Sequence, residues 1–132
     1  MKKSKFMEKY PVYTVELLKQ EIKAQSIDDI LDYFKIKIEE HPASKLIAVF
    51  NHFTHTKNLD GEIKDGLLDA QNIIFCFGTT LLDTKMTAVR PRSLGVCELD
   101  DKFVIEFMEI PREELNALIE FWIKGLLNND EK

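Results

Sequence analysis

Glycine, proline and cysteine are scarce in this 132-residue chain, with five, four and two residues. So little glycine and proline excludes collagen-like repeats and proline-rich linkers. Two cysteines exclude a disulfide-built scaffold. No apolar segment reaches membrane-spanning length, so no transmembrane helix is expected. Nor is there a surplus of cations: 18 lysines and arginines face 23 acidic residues, a net charge of −5. That balance disfavours binding to nucleic-acid backbones, which needs clustered positive charge. The one basic cluster, Lys2, Lys3 and Lys5, reads as a solvated, flexible tail over residues 1–8. It runs into Met7-Glu8-Lys9 rather than an apolar core, unlike a secretory signal, so the expected compartment is the cytoplasm. Cys76 and Cys97 are then expected as thiols among apolar neighbours.

What is present is ordinary globular material, 45% apolar and 31% charged, without repeats or low-complexity stretches. One domain over residues 1–132 follows. Tyr10–Leu17, β-branched and aromatic, predicts a first strand. Ser26 fits a helix N-cap with Asp29 three residues on. Ile27, Ile30, Leu31, Phe34 and Ile38 then form one apolar stripe, closed at His41-Pro42. Lys45–Phe50 is apolar throughout after its first residue, as a central strand buried on both faces should be. Lys57–Asp69 predicts a loop with room for one short turn of helix, and Ile73–Phe77 a second fully apolar strand ended by Gly78-Thr79-Thr80. Leu81–Val89 has room for a short helix. Ser93–Leu99 and Lys102–Ile110, joined at Asp100-Asp101, predict a hairpin. Pro111 opens a final helix with the stripe Leu115, Leu118, Ile119, Trp122 and Leu126, ended by Asn128-Asn129-Asp130. The expected fold is α+β: a two-layer sandwich of a mainly antiparallel sheet of about five strands with two long helices on one face. Two strands apolar on both faces need cover on the second face, and a homodimer partner supplies it.

The order Ile47–His52, then Ile73–Gly78, then Ser93–Glu98 through Glu109-Ile110-Pro111 resembles the domain-of-unknown-function family numbered three hundred and two, small bacterial α+β domains. Asn51–Thr56 and Ala88–Ser93 also resemble a group of small uncharacterised bacterial proteins. Either resemblance implies a fold and a dimer, and no activity or catalytic residues. Gly78-Thr79-Thr80 departs from the Gly-Asn-Pro common in the larger family, so a ligand there would be held differently.

Among candidate site residues, His52 and His55 lie three apart, on opposite faces of a regular strand but convergent on a turn. Zinc would need two further ligands that the sequence does not place nearby, so neither a metal nor a cofactor is expected. The alternative is one histidine bonded to backbone and one partly exposed. Arg90 and Arg92, stiffened by Pro91, present two forks to a carboxylate or phosphate, with the backbone N–H groups and hydroxyls of Gly78, Thr79 and Thr80 completing an anion cradle. Alternatively, the arginines pair with Glu98, Glu106 or Glu109. The leading expectation is a dimeric module for a small anionic metabolite, using His52, His55, Arg90, Arg92, Thr79 and Thr80 where the strands ending at His52 and Gly78 meet the Arg90–Arg92 loop. Two others stand beside it. One is an interaction or scaffold domain; the other is an enzyme using His52, His55 or Cys97, for which no residue set has a recognisable spacing.

Overall fold

A computed structural model describes residues 1–127. Six strands form one open sheet: β1 (Lys2–Phe6), β2 (Tyr10–Leu18), β3 (Ser44–Asn51), β4 (Asp69–Phe77), β5 (Arg92–Glu98) and β6 (Lys102–Met108). Their order across the sheet is β1-β2-β6-β5-β4-β3. Every neighbouring pair is antiparallel. Two long helices, α1 (Ile27–Glu40) and α4 (Glu113–Lys124), accompany two short ones, α2 (His52–Asn58) and α3 (Met86–Val89).

Local chemistry sets the long elements. Ser26 caps α1, its hydroxyl accepting the Asp29 N–H at 3.2 Å. The α1 stripe of Ile27, Ile30, Leu31, Phe34 and Ile38 is buried as its spacing requires. It joins Ile119, Trp122 and Ile123 of α4 over the inward residues Ile73, Phe75, Leu94, Val96, Phe103 and Ile105. Both helices thus cover one face of the sheet. The β5–β6 hairpin turns at Asp100-Asp101, where Leu99 N–H donates to the Lys102 carbonyl at 2.8 Å. The end of α4 expected at Asn128–Asp130 lies outside the described residues.

Three expectations change. The sheet has six strands because residues 2–6, expected as a tail, pair with β2 as β1, although all five side chains stay exposed. Strand β3 is an edge, not a central strand. A bulge between Leu46 and Ala48 breaks its register, and Ile47, Ala48 and Val49 are exposed. Its apolar run therefore does not signal burial on both faces. Lastly, the strand ends at Asn51, and His52–Asn58 is helix where a strand rim and loop were expected.

Candidate functional site

The antiparallel pairing of β3 and β4 decides where the candidate residues go. Asn51 faces Gln71, and Ser44 faces Phe77. The end of β3 therefore lies beside the start of β4, and His52 and Gly78 sit at opposite ends of the pair. At the usual strand rise that separation is about 23 Å.

At the histidine end, the Asn51 side chain accepts the Thr54 N–H at 2.9 Å and caps α2. Helical spacing of three then puts His52 and His55 on one side of the helix. Both rings pack on Phe50, with centroid distances of 4.5 and 5.2 Å. Among the described residues no three His, Cys, Asp or Glu side chains gather around a point that could hold a metal ion. Cys97 lies on β5 with its thiol pushed up by burial and then by the charges of Glu106 and Asp69. An activated nucleophile needs the opposite shift.

The other end is built by the arginines. Gly78 ends β4 at φ +101°, and its N–H donates to the Ala43 carbonyl at 2.7 Å. The Arg90 guanidinium lies against it: a Cβ on Gly78 would come within 2.8 Å of Arg90 Nη2. Arg90 Nη1 also donates to the Thr80 carbonyl at 2.8 Å. Arg92 donates Nη1 to the Val89 carbonyl at 3.0 Å, and Nη2 to the carbonyls of Met108 and Glu109 at 2.8 and 2.9 Å. Burial pulls its guanidinium below the ordinary value, while an arginine remains charged at any physiological pH. Neither Arg90 nor Arg92 has a carboxylate within ion-pair distance among the described residues. The expected pairing with Glu98, Glu106 or Glu109 is not made: Glu98 takes Lys19, Glu109 takes Lys3, and Glu106 accepts from Thr14.

Arg90, Arg92 and Arg112 line one cleft of about 180 Å³ together with Phe77, Met86, Val89, Ile110 and Leu115. These are the only arginines in the sequence. Arg112 occupies the N-cap position of α4 without a side-chain capping bond and holds Glu114, with Nε and Oε2 3.0 Å apart. The Glu114 carboxyl is held below its usual range by its own backbone N–H and then by Arg112. The wall carrying Ile110 is fixed by Asn116, which is fully buried. Its side chain accepts the Ile110 N–H at 2.8 Å and donates to the Ile110 carbonyl at 2.9 Å.

Of the expected site residues, then, Arg90 and Arg92 come together. Thr79 and Thr80 are exposed, and Thr80 contributes its carbonyl rather than its hydroxyl. His52 meets Arg92 only along a shallow trough of about 270 Å³ on the helix-free face, past Phe50, Asn72, Ile74 and Ser93. His55 lines neither the cleft nor the trough. Gly78, expected to offer its N–H to the cradle, gives it to Ala43 instead, and Arg112 was not anticipated as a site residue. A signal for Arg112 existed: a hairpin turning at Asp100-Asp101 places residue 92 opposite residue 109, close to 112.

The family described as "Family of unknown function (DUF6858)" matches residues 1–128. A family of unknown function is thus correct for this chain, but it is not the one numbered three hundred and two. No curated protein and no solved structure matches. Among the described residues, no helix is long and apolar enough to cross a membrane.

Proposed function

We propose that this chain, which belongs to the family of unknown function DUF6858, is a binding module for a small anion held in the three-arginine cleft. One observation carries the reading. In a chain with five more acidic than basic residues, Arg90 and Arg92 face a common cleft with no carboxylate among the described residues to neutralise them. A guanidinium satisfied only by carbonyls keeps its full charge, and an apolar wall strengthens its pull on an anion by excluding water. Glu114 neutralises Arg112 in part, so Arg90 and Arg92 supply most of the attraction. In this reading the histidines pack Phe50 and do no chemistry. Two free thiols suit a reducing compartment, and we place the chain in the cytoplasm.

Calorimetric titration with acetate and with inorganic phosphate tests the reading. Binding of either by wild type, and its marked weakening in the Arg90→Gln variant, is the expected result. Equal heats from wild type and variant would refute it.

A second reading, the homodimer, is favoured by the helix-free face. There Phe50, Ile74, Cys97 and Val104 are only partly buried, and Met108 is 48% exposed. Glu16 and Lys102 pair on the same face, so both signs are available to a symmetric partner. Sedimentation at micromolar concentration should show a dimer; a monomer alone would remove this reading.

A further inference from the structure

Resting on the three-arginine reading, we infer that the cleft selects a monocarboxylate carrying an apolar group about the size of a benzene ring. The cleft, half open to solvent, offers about 180 Å³. An apolar cavity of about 150 Å³ accommodates benzene. The cleft therefore has more room than an isolated carboxylate needs and enough to cover a ring-sized apolar group.

The lining separates by chemistry. Phe77, Met86, Val89, Ile110 and Leu115 offer only carbon and thioether sulfur to a ligand body. Polar recognition falls to the guanidinium groups. Arg92 has spent three of its five donors on carbonyls, and Arg90 one. A carboxylate is satisfied by one or two forks of N–H donors. A phosphate dianion also accepts from arginine forks, but its third strongly hydrated oxygen gains from a further cradle of backbone N–H groups or hydroxyls. The threonines expected to complete such a cradle are exposed and do not line the cleft. Gly78 has a part in the selection: without a Cβ, it lets the Arg90 guanidinium lie against the backbone at the cleft wall.

The test compares acetate, phenylacetate, hexanoate, phenyl phosphate, inorganic phosphate and benzyl alcohol by calorimetry at one ionic strength. Phenylacetate and hexanoate should bind about 10–100-fold tighter than acetate, the ratio set by burying a ring-sized apolar group. Phenyl phosphate and benzyl alcohol should bind more weakly than phenylacetate. Val89 is 41% exposed. Val89→Trp should therefore fill the cleft at little cost to folding and abolish the preference for phenylacetate over acetate. Acetate or phosphate binding as tightly as phenylacetate would overturn the inference and leave the anion reading standing. Phenyl phosphate outbinding phenylacetate would overturn the carboxylate assignment alone. Benzyl alcohol matching phenylacetate, with Arg90→Gln silent, would overturn both, as would no binding by any probe.

Discussion

The two ends of the β3–β4 pair carry similar amounts of polar, chemistry-bearing sequence and use it in opposite ways. At one end His52 and His55 close around Phe50. At the other, Arg90 and Arg92 border open space without a carboxylate partner among the described residues. Histidine is the residue most readily taken for a site, yet here the pair satisfies itself by packing. Arginine in an acidic chain is readily taken for an ion-pair partner, yet nearby Glu98 and Glu109 are taken by lysines. Function is better sought where charge is left uncompensated than where reactive residue types cluster.

That contrast can be broken at either end. Arg92→Met should have the largest effect, because it leaves the carbonyls of Val89, Met108 and Glu109 without their donor. A loss of about 2–3 kcal/mol in denaturant unfolding is expected. A loss below about 0.5 kcal/mol would mean that Arg92 does not organise the cleft. Gly78→Ala should cost about 1–2 kcal/mol, through strain at positive φ and contact with Arg90. It should also weaken phenylacetate binding by displacing that guanidinium. Unchanged affinity would separate Gly78 from the site. The double variant His52→Ala, His55→Ala should cost at most about 1 kcal/mol, as for loss of aromatic contacts at an exposed surface, and leave phenylacetate affinity unchanged. A drop in affinity would reunite the two ends.

The smallest effect concerns Cys97. Burial raises its thiol in the folded state, so folding favours the protonated form. The sign follows: this contribution is complete below the unfolded-chain value and is lost as pH rises through the folded one. Alkylation at mildly alkaline pH should be slower for Cys97 in the folded protein than in denaturant. Faster reaction in the folded state would revive a nucleophilic role.

Much of the fold was legible where local chemistry and tertiary packing agree. Ser26, the α1 stripe and the Asp100-Asp101 hairpin are cases where one short segment specifies its own structure. The apolar run of β3 misled because its exposed Ile47, Ala48 and Val49 carry no mark distinguishing an edge from a centre. Strand β1 was hidden for a different reason. Met7 and Glu8 turn the chain at φ 54° and 60°, where glycine or asparagine usually announces a hairpin. Asn51 was a readable N-cap, masked by the strand that runs directly into it. The cleft was half legible: Arg90 and Arg92 are neighbours in sequence, whereas Arg112 joins them only through the β5–β6 register and the start of α4.

The chain's three arginines make the central claim directly measurable, since each gives one side-chain Nε–Hε signal in a nitrogen-correlated NMR spectrum. Titration with phenylacetate should shift the Arg90 and Arg92 signals, and Arg112 with them, along one saturable curve. The His52 and His55 ring signals should stay in place. Arginine signals that do not move while phenylacetate binds elsewhere, or while it does not bind at all, would contradict the account.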